Sequence, residues 1–131
     1  MSQSIDLLFI SEQSRQSLCR LVADLLLNKQ SFLATAESCT GGLIAAACTD
    51  LAGSSQWFDR GFVTYSNAAK TDMLGVDAAL ITQFGAVSEP VAVAMAQGAF
   101  KNSKAQVSVA VTGVAGPTGG SARPPVRAAA R

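Results

Sequence analysis

The chain has 131 residues and no histidine. This absence removes the Ser-His-Asp and Cys-His arrangements of many hydrolases, and with them the usual imidazole metal sites. If the chain is a nucleophilic enzyme, its base has to be a lysine, a carboxylate or a water held by one of them. The search for catalytic residues therefore narrows to few side chains, because only four lysines are present.

Cysteine and net charge are also scarce. Three cysteines, an odd number with no CxxC spacing, indicate reduced thiols in a cytoplasm rather than a disulfide framework or a zinc site. The net charge is +1 with no basic stripe before the C-terminus, which disfavours a nucleic-acid partner. No apolar run reaches the ~18 residues of a membrane span, and the N-terminus does not resemble a signal peptide.

The residues that are present favour one globular α/β domain. Hydrophobic residues make up 49% of the chain, and helical and strand patterns alternate along it. We predict helices at about 11–29, 40–51 and 67–74, another that is capped by Asp77 and ends before Gly85, and one capped by Ser88. Strands are predicted at 32–36, 61–66 and 106–112. Helices covering both faces of a mostly parallel sheet give a three-layer α/β/α fold.

The end of the chain departs from this pattern. Residues 121–131, "SARPPVRAAAR", hold three of the six arginines and two of the four prolines. Paired prolines interrupt a sheet strand because they lack the N–H that a ladder needs. We therefore predict a single domain over 1–121 and an irregular tail over 122–131.

Polar clusters follow three predicted strands, at Glu37–Gly42, Tyr65–Lys70 and Thr112–Ser121. Ligands of open parallel sheets bind beyond the carboxyl ends of the strands. The first cluster, within "ATAESCTGGLIAAA", has two interpretations. It is either an anion site of backbone N–H groups at a helix start, or a turn in which Ser38 or Thr40 caps the helix.

Lys70 is the best candidate base by elimination, since the other three lysines lie near helix ends where a solvated charge is expected. A partly desolvated lysine has a lowered pKa and can deprotonate a hydroxyl. An ordinary surface lysine is the alternative.

The hydroxyls that Lys70 could deprotonate are those of Ser38, Ser54, Ser55, Ser66 and Thr112. Cys39 is a less favoured nucleophile, and Arg60 either binds a phosphate or pairs with a neighbour such as Asp59.

Several stretches together closely resemble the CinA C-terminal-domain family, namely "ATAESCTGG", "LAGSSQWFDRGFVTYSNAAK", "MLGV", "GAVSEPVAVAMAQGA" and "VAVTGVAGPTGGS". The resemblance covers roughly residues 12–121. It implies a metal- and cofactor-independent hydrolase that converts nicotinamide mononucleotide to nicotinic acid mononucleotide and ammonia, in pyridine-nucleotide salvage.

The resemblance also implies a serine–lysine mechanism. It assigns the nucleophile to Ser55, the base to Lys70 and a further catalytic role to Tyr65. Expected substrate-binding residues are Ser38, Thr40, Gly41, Gly42, Thr112 and, secondarily, Arg60.

The family pattern continues with a further strand and helix, including a site arginine, where this sequence has "SARPPVRAAAR". Two expectations follow. The chain forms a homodimer or higher homo-oligomer that covers the exposed sheet edge. The alternative to the amidohydrolase is a catalytically inactive, nucleotide-binding or structural relative.

Overall fold

The computed structural model describes residues 12–114 and the backbone of residues 127–130. Its helices are α1 (Glu12–Asn28), α2 (Leu43–Thr49), α3 (Asn67–Leu74), α4 (Ala78–Phe84) and α5 (Glu89–Lys101), with a short 3-10 turn at Ser54–Gln56. Its strands are β1 (Leu33–Glu37), β2 (Phe58–Val63), β3 (Val107–Thr112) and β4 (Arg127–Ala130).

The four strands form one sheet in the order β2-β1-β3-β4. The central strand β1 pairs in parallel with both β2 and β3, while β3 pairs antiparallel with β4. Every residue of β1 is buried, as expected for a parallel strand covered on both faces. The carboxyl ends of β1, β2 and β3 therefore meet at one edge of the sheet.

Two apolar clusters lie on the two faces of this sheet. On one face, Leu74 of α3, Ile81 of α4 and Met95 of α5 pack together with Ala34 and Ala36 of β1. On the other face, the cluster contains Ala23 and Leu26 of α1, Cys48 of α2, and Trp57. The predicted three-layer α/β/α fold is confirmed, because apolar helix faces are buried on both sides of the sheet. No helix in the described part of the chain is long and apolar enough to cross a membrane.

Most predicted elements are confirmed within a few residues, but the second strand lies earlier than predicted. It spans Phe58–Val63 instead of 61–66. The Leu33 N–H donates to the carbonyl oxygen of the buried Trp57 at 2.8 Å, so pairing with β1 starts there. The helix predicted from residue 40 begins only at Leu43, because Gly41 and Gly42 adopt left-handed φ angles of 62° and 106°.

The prediction of an irregular tail over 122–131 is wrong for Arg127–Ala130. These residues form β4, in register with β3 from Val109↔Ala130 to Thr112↔Arg127. The paired prolines precede the strand and therefore do not interrupt its ladder, and an edge position needs hydrogen bonds on one side only. The rest of the predicted tail lies outside the described residues.

Candidate functional site

The site lies at the carboxyl ends of the parallel strands, where two of the three predicted polar clusters meet. Glu37 ends β1 and is followed by Ser38, while Thr64 and Tyr65 follow β2 and lead into α3. The Nζ atom of Lys70, in α3, lies 3.0 Å from Ser38 Oγ. Residues 115–121 of the third cluster lie outside the described residues.

Lys70 is buried, with 1% of its surface exposed, and its Nζ has three close partners. Besides Ser38 Oγ, it donates to the carbonyl oxygens of Thr64 at 2.9 Å and Tyr65 at 3.0 Å. Ser66 holds this helix start by capping it, since its Oγ accepts from the Ala69 amide at 3.0 Å. Lys70 is therefore the desolvated lysine expected from elimination, not a surface lysine.

Desolvation by burial lowers the pKa of Lys70 below its ordinary value of 10.5, and the nearby Cys39 thiol opposes this shift. A neutral lysine has two N–H donors and one lone pair. In that neutral form the two carbonyl oxygens accept the two N–H bonds, and the Ser38 hydroxyl can donate to the lone pair. In the charged form Nζ instead donates to Ser38 Oγ, which in turn donates to the Tyr65 carbonyl oxygen. The arrangement in the neutral form suits Lys70 as the base that deprotonates the Ser38 hydroxyl.

Ser38 is held by β3 on one side and by the segment after β2 on the other. Its backbone N–H donates to the Val111 carbonyl of β3 at 3.0 Å, and its Oγ lies 3.4 Å from the Tyr65 carbonyl oxygen. Only 6% of the residue is exposed. Burial of Cys39 raises the pKa of its thiol, which does not favour a thiolate nucleophile next to Ser38.

The side-chain carboxylate of Glu37 caps the start of α2. Glu37 Oε1 accepts hydrogen bonds from Thr40 Oγ1 at 2.6 Å and the Ile44 amide at 2.9 Å, and Oε2 accepts from the Ala45 amide at 3.0 Å. The capping interpretation of this cluster is the better one, although the capping group is Glu37 and not Ser38 or Thr40. The amides of Ile44 and Ala45, two of the donors that an anion site would use, donate to Glu37 instead. The sequence does not predict this role of Glu37, because a buried carboxylate at the end of a strand has no sequence signature of its own.

The structure does not bring Ser55 to Lys70 within one chain. Ser55 lies in the 3-10 turn before β2, whereas the Lys70 partners Thr64 and Tyr65 follow β2. At about 3.3 Å per residue, the strand between them separates the two ends by roughly 16 Å or more. The catalytic role assigned to Ser55 by resemblance stays a prediction.

Of the remaining expected site residues, Tyr65 and Thr112 lie at the carboxyl ends of strands, whereas Arg60 lies within β2. Tyr65 contributes its carbonyl oxygen, while the residue as a whole is 68% exposed. Thr112 ends β3 and donates its hydroxyl to the Ala86 carbonyl at 2.9 Å. Arg60 lies apart from Lys70, where its guanidinium pairs with Asp59 at 2.7 Å and reaches the Asn102 carbonyl. The pairing interpretation of Arg60 is thus the better one.

These features define a three-layer α/β protein with a buried serine–lysine pair at the carboxyl ends of its parallel strands. Residues 15–127 match the model of the CinA C-terminal domain. The chain belongs to the CinA C-terminal domain family, as its resemblance implied.

Curated relatives and solved structures agree with this assignment. A nicotinamide-nucleotide amidohydrolase PncC from Enterobacter agglomerans is 54% identical over 117 residues, which cover 89% of this chain and 71% of the relative. A CinA-like protein from Syntrophobacter fumaroxidans is 50% identical, but the chain spans only 28% of its length. The crystal structure of the competence/damage inducible protein CihA from Agrobacterium tumefaciens superposes with a TM-score of 0.85, at 52% identity, over 89% of this chain and 73% of that one.

Proposed function

We propose that this chain hydrolyses the carboxamide of nicotinamide mononucleotide to nicotinic acid mononucleotide and ammonia. The observation that carries the proposal is the 3.0 Å contact between Lys70 Nζ and Ser38 Oγ, buried at the strand ends of a domain that is 54% identical to a nicotinamide-nucleotide amidohydrolase. A serine activated by a lysine performs acyl transfer without a metal or an imidazole.

In this mechanism the neutral Lys70 takes the proton of the Ser38 hydroxyl. The alkoxide attacks the carboxamide carbon, and Lys70 returns the proton to the nitrogen as ammonia leaves. Water, deprotonated by the same lysine, then cleaves the ester to Ser38 and releases the acid. The carbonyl groups of Thr64 and Tyr65 hold Nζ in place through both half-reactions.

The proposal changes the nucleophile suggested by resemblance from Ser55 to Ser38. The reason is geometric, because proton transfer needs a base within hydrogen-bond reach of its hydroxyl. We propose that Tyr65 contacts the substrate, since it is largely exposed while its backbone binds Lys70. We also propose that the protein acts in the cytoplasm, as a homo-oligomer, on a small-molecule nucleotide and not on nucleic acid.

The test is ammonia release from nicotinamide mononucleotide by the unmodified chain and by Ser38→Ala, Lys70→Ala and Ser55→Ala. We expect Ser38→Ala and Lys70→Ala to lose at least about 10²-fold in kcat, because the two groups act as one unit. Ser55→Ala, the matched serine control, should stay within about threefold.

Substrate affinity, measured by calorimetry, should change little in Ser38→Ala. Activity that disappears in Ser55→Ala and persists in Ser38→Ala would contradict the assignment of Ser38, and would require Ser55 to reach Lys70 from another copy of the chain. An unmodified chain that binds nicotinamide mononucleotide without releasing ammonia would contradict the amidohydrolase function.

A further inference from the structure

We propose that Glu37 is a positioning residue for the Ser38–Lys70 pair, because its carboxylate ties the 38–42 turn to α2 and so holds Ser38 Oγ at Lys70 Nζ. This inference rests on the proposed function. Glu37 does not contact either reacting atom, so its effect on turnover passes through Ser38.

The first support is the unusual setting of the carboxylate. Glu37 is 1% exposed, and burying a carboxyl group is costly unless hydrogen bonds compensate it. Within residues 12–114, no ion pair joins it to a basic side chain. Its compensation is the three donors Thr40 Oγ1, Ile44 N and Ala45 N, and the two amides lie at the positive end of α2. Such a satisfied buried group holds its surroundings in one geometry.

The second support is the position of Glu37 between the two halves of the site. Its side chain holds the turn that contains Ser38, through Thr40 and the first residues of α2. Its backbone carbonyl oxygen accepts from the Thr64 amide at 2.8 Å, and Thr64 in turn binds Lys70 Nζ. Glu37 therefore links the 38–42 turn to Thr64, whose carbonyl oxygen binds Lys70. A substitution of its side chain removes only the bonds to the 38–42 turn and α2.

The third support is that the two glycines give the turn little stiffness of its own. The capping position of α2 is Gly42, which has no side chain to cap the helix. Gly41 and Gly42 both have positive φ, and glycine is the residue with the most backbone freedom. Without the Glu37 carboxylate, Ser38 keeps its amide bond to Val111 of β3 and its Oγ contacts with Lys70 and Tyr65. The rest of the turn keeps only backbone bonds, Gly41 N–Ser38 O within it and Leu43 N–Thr40 O and Ala46 N–Gly42 O to α2.

A purely structural role as a helix cap is the competing explanation, and Asp77→Ala is its matched control. Asp77 Oδ1 caps α4 by accepting from the Ala79 amide at 2.9 Å, on an element that does not contribute to the site. Both substitutions remove a helix cap, but only Glu37→Ala frees the turn beside Lys70. Equal losses of stability with unequal losses of turnover would separate positioning from capping.

The experiment measures kcat and KM of ammonia release for Glu37→Ala, Glu37→Gln and Asp77→Ala. We expect Glu37→Ala to lower kcat at least tenfold with KM within about threefold, because a displacement of about 1 Å is costly in an oriented reaction. Glu37→Gln keeps the shape but turns one amide N–H toward an NH₂ group, so its kcat should lie between those of Glu37→Ala and the unmodified chain. Asp77→Ala should keep kcat unchanged.

A structural readout keeps this test independent of activity. In a crystal structure of Glu37→Ala, the distance between Ser38 Oγ and Lys70 Nζ should exceed 3.5 Å. If Glu37→Ala does not fold, Thr40→Val, which removes one donor to the same carboxylate, should show a smaller fall in kcat. A retained 3.0 Å contact, an unchanged kcat, or a raised KM at constant kcat would overturn the positioning role. No ammonia release from the unmodified chain would count against the proposed function alone.

Discussion

Lys70 shows how one residue depends on the backbone around it. Its Nζ lies against two carbonyl oxygens that β2 no longer uses, because the strand ends at Val63. Burial favours the neutral amine, while the carbonyl oxygens still give it hydrogen-bond partners. The same lysine on an exposed helix face would be fully protonated near neutral pH and could not accept a proton.

The lowered pKa of Lys70 predicts the direction of the pH dependence. Below that pKa the amine is charged and cannot take the Ser38 proton, and above it the amine is neutral and can. The kcat/KM for ammonia release should therefore rise with pH, with its midpoint below the ordinary lysine value of 10.5. Lys70→Ala should lack this rise. A midpoint at 10.5 or higher would show that burial does not tune the base.

At the scale of elements, local rules account for most of the helix boundaries. The predicted capping roles of Asp77 and Ser88 are confirmed, because their side chains accept from the Ala79 and Val91 amides. The beginning of α2 was less predictable, since the group that caps it comes from the preceding strand and not from the helix start. Caps that act across a turn follow the tertiary path of the chain.

The contact of α5 with α3 gives a prediction for stability. A methyl group added at Gly98 would overlap the Leu74 carbonyl oxygen, and a backbone atom has little room to move. We expect Gly98→Ala to lower the free energy of unfolding by about 1–3 kcal/mol or more, despite the better helix propensity of alanine. Denaturant titration measures this, with the exposed neighbour Gln97→Ala as the control. A stabilised Gly98→Ala would mean that the two helices separate easily.

The whole molecule has an open sheet edge. In the sheet order, β2 is an outer strand and pairs only with β1 among the described strands. Its residues Arg60, Gly61 and Val63 are exposed. Unpaired edge strands are templates for pairing with another chain. The sequence led us to expect an exposed edge beyond β3, but β4 pairs there, which leaves β2 as the edge that a second copy could cover. The homo-oligomer itself stays a prediction.

Self-association makes stability depend on concentration, because mass action favours the folded assembly. We expect the melting temperature to rise between micromolar and high-micromolar protein, and the sedimentation coefficient to increase in parallel. A monomer by sedimentation at all concentrations, melting at one temperature, would contradict the oligomer. The assignment of Ser38 and Lys70 to one chain does not depend on this outcome.

The sequence by itself determined the α/β class, the family and most helix boundaries, and it singled out Lys70 as the candidate base. These follow from short-range periodicity, capping residues, motif words and the lack of histidine. The tertiary structure decided which hydroxyl meets that base. Ser38 is 32 residues from Lys70, but both lie at the carboxyl ends of the parallel strands. Ser55 is nearer to Lys70 in sequence but lies at the opposite end of β2. The pairing and direction of the strands bring Ser38 and Lys70 together. They also place Glu37 at the end of β1, where its carboxylate accepts hydrogen bonds from Thr40 and the start of α2.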